Sequence, residues 1–238
     1  MRVNRNFSVF VQYILDEWIP PRIRDSRLFM GPAMRLVLKD GANEFMTFKN
    51  WFYKADSSRI GELYKKTAHL QEIQGETDLN QQCVDKILSE IGTGTVLEVG
   101  CGRGYLANLI SENNKITACD IVIPASLKKK YPKIKFVSGD IENLPFKNGQ
   151  FDTVISTHTL EHTKNLRKAV SELRRVAGKQ LIVVVPRQRP YKYTFSLHTQ
   201  FFPYEWSLTN GFGHSDEAVI EKLGDWFYHE KMNTIVKV

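Results

Sequence analysis

Phe7, Phe10, Val11, Ile14, Leu15 and Trp18 recur at the i, i+3, i+4, i+7 spacing that aligns one helical face, and Pro20-Pro21 ends the run. Between 22 and 55, apolar patches at 28–30, 36–38 and 45–53 are interrupted by Gly31-Pro32 and Asp40-Gly41, which predicts short helices and turns. Polar starts at Asp56-Ser57-Ser58 and Thr77-Asp78 introduce two more helical patterns. The first runs through Ile60, Leu63, Tyr64 and Thr67; the second runs through Cys83, Ile87, Leu88 and Ile91 and stops at Gly92.

From Thr95 the texture changes. Short β-branched runs at 95–99, 115–119, 134–137, 153–156 and 181–185 alternate with helical patterns at 105–113, 125–131 and 166–177. This alternation predicts an α/β fold with a doubly wound, mostly parallel sheet, and the run Leu-Ile-Val-Val-Val at 181–185 reads as a strand buried on both faces. After Pro186 come a basic, aromatic loop, a short helix around 205–209, and two strand-like runs at 218–223 and 226–231. Gly224-Asp225 separates these runs and predicts a hairpin. Residues 1–92 form a helical N-terminal extension that caps the site, and 93–238 form the α/β domain.

The 238 residues suit one domain plus an addition, and 42% hydrophobic with 25% charged residues excludes a disordered chain. A net charge of +7 suits an anionic partner without choosing among phosphate, nucleic acid and acidic membrane. Cys83, Cys101 and Cys119 have neither the even count of a disulfide framework nor zinc-site spacing, so the expectation is a reducing cytoplasm and no metal. Asp16-Glu17 after the first apolar run argues against a signal peptide, and no run approaches the roughly 18 apolar residues of a membrane span. The amphipathic first helix either packs on its own domain or lies on a membrane surface.

The first strand runs into Glu98-Val99-Gly100-Cys101-Gly102-Arg103-Gly104 and then a helix, where glycines admit a close ligand and the helix start presents free N–H groups. A dinucleotide fingerprint needs its third glycine at 105, where Tyr105 stands, so NAD is disfavoured. An acidic residue two before three glycines spaced by two resembles motif I of the class I S-adenosylmethionine-dependent methyltransferases. The stretch from Phe151 to His162 resembles the fourth-strand motif of their widespread small-molecule, type-11-like branch. The resemblance covers about residues 95–185. It implies a Rossmann-like methyltransferase fold with S-adenosylmethionine on Gly100, Gly102 and Gly104. Glu98 orients the methionine end, Asp120 takes the ribose hydroxyls and Asp140 takes the adenine amino group, with Cys101, Ile121, Ile141 and Thr157 adjoining and Tyr64 reaching in from the cap. Asp152, at the start of its strand, reads as structural.

An acceptor hydroxyl needs a base near neutral pKa, which makes His158, His162 and His198 the catalytic candidates. Arg187, Arg189, Tyr191, Lys192 and Tyr193 suit an anionic, ring-containing acceptor. The outer parts more loosely resemble microbial methyltransferases associated with surface polysaccharide synthesis, which implies a small-molecule or glycan acceptor. Lys128-Lys129-Lys130 leaves RNA as the alternative acceptor, although a solvated helix surface explains it as well. A non-catalytic cofactor-binding subunit is the other alternative.

Overall fold

The computed structural model describes residues 5–71 and 77–232. Eleven helices occur among the described residues: α1 (Arg5–Glu17), α2 (Pro21–Arg24), α3 (Arg27–Leu38), α4 (Ala42–Thr47), α5 (Lys49–Phe52), α6 (Ser57–Gln71), α7 (Gln81–Glu90), α8 (Tyr105–Ile110), α9 (Ala125–Lys130), α10 (Leu166–Val176) and α11 (Glu205–Phe212). Seven strands, β1 (Thr95–Val99), β2 (Lys115–Asp120), β3 (Lys135–Ser138), β4 (Phe151–Thr157), β5 (Ala177–Val185), β6 (Ala218–Leu223) and β7 (Asp225–Lys231), form one sheet in the order β3-β2-β1-β4-β5-β7-β6. The first five strands are parallel, while β7 runs antiparallel between β5 and β6.

This is the expected doubly wound α/β sheet, and β5 shows why its sequence is continuously apolar. Leu181, Val183 and Val185 pack with α10 and α11 on one face, and Ile182 and Val184 pack with α7 and α8 on the other. All five are fully buried, each contributing about 1.5–3 kcal/mol relative to exposure. Asp152 has the expected structural role. Its carboxylate accepts the Thr95 N–H at 2.8 Å and hydroxyl at 2.9 Å and pairs with Lys179 at 2.8 Å, which pins the start of β4 to β1. These partners hold its carboxyl down at about 2.

Helix α7 is a correction to the expected division of the chain. It was assigned to the extension, yet Cys83, Val84 and Ile87 lie in the sheet's own apolar cluster with Val96 and Ile155. Its cap is Asn80 rather than Thr77-Asp78: the Asn80 Oδ1 accepts the Cys83 N–H at 2.9 Å. The Asn80 amide also donates to the Leu223 carbonyl at 2.8 Å and to Asp225 at 2.9 Å, which ties α7 to the terminal hairpin.

Ahead of α7, the helices build a separate apolar cluster around Met30, Met34, Leu38, Phe45, Phe48, Phe52, Ile60 and Leu63. Met30, Met34 and Leu38 share one face at i, i+4 spacing, so α3 continues through Pro32 where a break was expected. Packing of that face outweighs the roughly 3 kcal/mol penalty of an interior proline. Ile121, Tyr193, Phe195 and Leu197 pack on the same cluster, so the extension sits on the carboxyl end of β2 and on the loop after β5.

That loop is held by polar contacts as well. Arg24, 3% exposed, donates to the Pro190 carbonyl at 2.6 Å, approaches Asp16 at 3.5 Å and lies 4.1 Å over the Tyr191 ring. Arg189 donates to the Asp16 carbonyl at 2.8 Å and pairs with Glu17, as does Arg187. These arginines, expected to face an anionic acceptor, also clasp the end of α1, where unpaired carbonyls favour cations. The apolar stripe of α1 is only partly covered, with Phe10 58% and Trp18 72% exposed, and the Phe7 side chain lies outside the described residues.

Candidate active site

The cofactor candidates converge because a parallel sheet gathers its carboxyl ends along one edge. Register places Val99 beside Cys119 and Ser156, and Asp120 beside Ser138. Thus Glu98 and Gly100, Asp120 and Ile121, Asp140 and Ile141, and Thr157 and His158 occupy the same edge. After β1 the backbone turns, with the Gly100 and Cys101 N–H groups donating to the Cys119 carbonyl at 2.8 and 3.1 Å. Gly100 has φ +79, and a side chain there would collide with Thr159; Gly102 has φ +48 and open space where a Cβ would stand. The second position is the side of the turn a ligand can approach.

Around this cradle stand carboxylates with little to neutralise them. Glu98 is 3% exposed, and its Oε2 has no partner among the described residues. Burial pushes its carboxyl up to about 8, against a hydrogen bond from the Ala107 amide, and the Asp120 charge adds to the rise. Asp120 accepts the Gly102 N–H at 2.8 Å and the Val122 N–H at 3.2 Å; burial raises its pKa despite those bonds. Asp140 accepts the Glu142 N–H at 2.9 Å and bridges to Asn143, and Ile141 packs on the sheet core. Burial pushes both neighbouring thiols up, that of Cys119 to about 12, so neither is a ready nucleophile. Tyr64, from α6, has its ring 6.0 Å from His162, and burial with the Asp120 and Glu161 charges raises its pKa; the structure thus brings it to the site from the extension.

The three histidines surround Glu161, a residue sequence reasoning left out of the site. His158 begins the turn after β4 at φ +48. Its Nδ1 lies 3.4 Å from Glu161 and its Nε2 3.5 Å from Asp225. Burial opposes its charge, but the two carboxylates outweigh burial and raise its pKa to about 10. The two carboxylates thus favour its charged form, which works against the expected role as a base. His198 is the opposite case. Burial, helped by the charges of His162, His158 and Lys49, holds it well below the usual histidine range. Its Nδ1 lies 2.5 Å from Gln188 Oε1, and its ring is 4.8 Å from that of His162. His162 Nδ1 lies 3.1 Å from the Leu197 carbonyl.

Tertiary hydrogen bonds bring these residues together. The Thr199 and Gln200 N–H groups donate to the Glu161 carbonyl at 2.7 and 3.0 Å, and the Thr199 hydroxyl donates to the Thr163 carbonyl at 2.8 Å. A pocket of about 210 Å³ lined by Glu17, Arg187, Gln188, Arg189, Tyr204 and Trp226 includes none of the cofactor candidates and meets the cluster only through Gln188.

Fold and cradle together define a Rossmann-like α/β domain with a ligand-binding turn after its first strand. Residues 97–184 match the family model of a methyltransferase domain. An uncharacterised protein of Methanocaldococcus jannaschii is 38% identical over 94 residues, 38% of this chain and 40% of that relative. A probable S-adenosylmethionine-dependent methyltransferase of Mycobacterium tuberculosis is 31% identical over 105 residues, 42% of this chain and 37% of that relative. The chain thus matches about two fifths of the length of these curated relatives. A Pyrococcus horikoshii protein of solved structure has a TM-score of 0.50 at 17% identity, covering 63% of this chain and 88% of its own; that likeness bears on the fold alone.

The residues present fit S-adenosylmethionine. The space at Gly102 admits a ligand against the backbone, Glu98 offers an unpartnered carboxylate oxygen where the methionine ammonium is expected, and Asp120 offers carboxylate oxygens where the ribose is expected.

Proposed function

We propose that the chain is an S-adenosylmethionine-dependent methyltransferase acting on a small or glycan-type acceptor, of the anionic or lipid-linked sugar kind used in surface polysaccharide synthesis. The observation that carries the reading is the open backbone turn at Gly102 between the buried carboxyl of Glu98 and the half-buried one of Asp120. The bound cofactor supplies an electrophilic methyl on a sulfonium, so the protein's part is to hold, orient and dehydrate. Glu98, Asp120 and Asp140 hold the cofactor along the strand ends, and Ile121 under the α3–α6 cluster closes that end from water. His198 offers an uncharged imidazole beside the acceptor loop, and His158 a fixed positive charge.

Titration calorimetry with S-adenosylmethionine, with NAD in parallel, tests the reading. Binding of the first alone, sharply weakened in Asp120→Ala, supports it. Absence of binding by the wild-type chain overturns it.

Contact with a membrane surface belongs to the same proposal. Trp18, in the turn after α1, and Leu28, Leu36 and Val37, on α3, are 72%, 90%, 82% and 52% exposed, and the same region carries Arg22, Arg27 and Arg35. No helix among the described residues is long and apolar enough to cross a membrane. Flotation with anionic vesicles, lost in Trp18→Ser/Leu28→Ser/Leu36→Ser, is the expected outcome; equal flotation of both proteins removes this part.

A further inference from the structure

We propose that Glu161, His162 and His198 form a binding site for a divalent transition-metal cation of the zinc type. One ligand atom from each lies within 4.8 Å of the other two. A tetrahedral edge at zinc–imidazole distances is about 3.3 Å. A cation therefore needs to draw these atoms in by at most about 1.5 Å, within the reach of small side-chain rotations.

Two independent features point to a cation rather than to chance proximity. The first is Glu161 itself, 1% exposed, with neither carboxylate oxygen hydrogen-bonded among the described residues. Its nearest side-chain nitrogens, His158 Nδ1 at 3.4 Å and His198 Nε2 at 4.0 Å, are beyond ordinary hydrogen-bond length. A buried carboxylate whose oxygens accept no hydrogen bond is costly, and metal coordination is one of the few arrangements that relieves it.

The second is the tautomer that the surroundings impose on both histidines. A carbonyl oxygen can only accept, so the Leu197 carbonyl 3.1 Å from His162 Nδ1 places a proton on Nδ1, and in an uncharged ring Nε2 is then the acceptor. The Gln188 amide oxygen 2.5 Å from His198 Nδ1 does the same there, with His198 Nε2 turned to Glu161. Neutral imidazole with one nitrogen donating to an oxygen and the other presenting a lone pair is the arrangement found in metal-ligating histidines. With one ligand atom of each residue within 4.8 Å of the other two, a cation between them bonds all three. Two histidines and one glutamate are also the ligand set of catalytic rather than structural zinc sites, because three protein ligands leave positions for water or a substrate oxygen. On the methyltransferase reading, that substrate oxygen belongs to the acceptor. Metal binding itself does not depend on that reading.

The sequence offered no zinc-like spacing because Glu161 and His162 are adjacent and His198 lies 36 residues beyond His162. The hydrogen bonds from Thr199 and Gln200 to Glu161 close that distance.

The test uses the full chain without an affinity tag, stripped with chelator and titrated with Co²⁺ alone. The expected result is a visible d–d band saturating at one equivalent, displaced by Zn²⁺ and not by Mg²⁺, and unchanged in His214→Ala, which removes an exposed surface histidine. Glu161→Gln and His198→Ala are each expected to weaken binding at least ten-fold. Gln188→Leu removes only the acceptor for His198 Nδ1; it is expected to weaken binding about ten-fold and serves if the buried Glu161 variant does not fold. Absence of a stoichiometric band, equal competition by Mg²⁺, or a band untouched by both His198→Ala and Gln188→Leu overturns the proposal. Cofactor titration on the same preparations reads the methyltransferase assignment separately.

Discussion

The Asp120 carboxylate accepts the backbone N–H of Gly102 at 2.8 Å, so the acid ending β2 and the open glycine of the β1–α8 turn form one unit. Hydrogen bonds to a charged group are worth about 1.5–3 kcal/mol each. Asp120→Asn keeps the volume but turns one acceptor into a donor aimed at Gly102. It is expected to weaken S-adenosylmethionine binding about 10- to 100-fold by calorimetry. An unchanged Kd would remove Asp120 from the site.

Two neighbouring glycines are expected to fail in different ways. In Gly100→Ala the new methyl collides with Thr159 at an unfavourable positive φ, so the chain loses more than about 3 kcal/mol in urea melts. In Gly102→Ala the methyl meets open space and the backbone strain is about 1–2 kcal/mol. That variant is expected to fold and to lose cofactor affinity. Equal stability of the two variants would contradict the geometry.

Glu98 makes stability depend on pH. Its carboxyl sits at about 8 in the folded chain against an ordinary 4.5, so between these values the folded state holds the extra proton. The stabilisation is full below about pH 4.5 and fades as pH rises through 8, by at most about 5 kcal/mol. Denaturant melts of the cofactor-free protein between pH 5 and 8 are expected to show this decline, flattened in Glu98→Gln. Parallel profiles for the two proteins would show that Glu98 is not its source.

Arg24 is buried against Asp16, the Pro190 carbonyl and the Tyr191 ring. Arg24→Ala leaves buried acceptors and the Asp16 charge without their cation and is expected to cost about 3–5 kcal/mol. Arg24→Met/Asp16→Leu, which removes both charges, is expected to recover part of that loss. Chemical denaturation of the three proteins checks the order.

The α/β half was legible because buried parallel strands demand unbroken apolar runs rich in β-branched residues, and β5 supplies one in five consecutive residues. The placement of Glu98, Asp120 and Asp140 along one edge was legible for a related reason, since each lies within two residues of the end of a strand. Helix α3 was not, because the packing of Met30, Met34 and Leu38 outweighs a local penalty at Pro32. The roles of Arg187 and Arg189 were hidden for the same kind of reason, as their partners Asp16 and Glu17 lie about 170 residues away. Glu161 was legible only as a member of the stretch from Phe151 to His162. Its isolation becomes visible once β7 brings Asp225 to His158 and the 197–200 segment folds back.

The position of β7 also sets a sequence in time. Asp225, which holds His158, lies on the last strand to be synthesised among those described, yet that strand pairs between β5 and β6 and its Asp225 reaches Asn80 ahead of α7. A nascent chain emerging from the ribosome can assemble β1 to β5 and the glycine turn well before this hairpin appears. Its cofactor cradle can therefore take shape while the histidine cluster still lacks one of its two anchoring carboxylates.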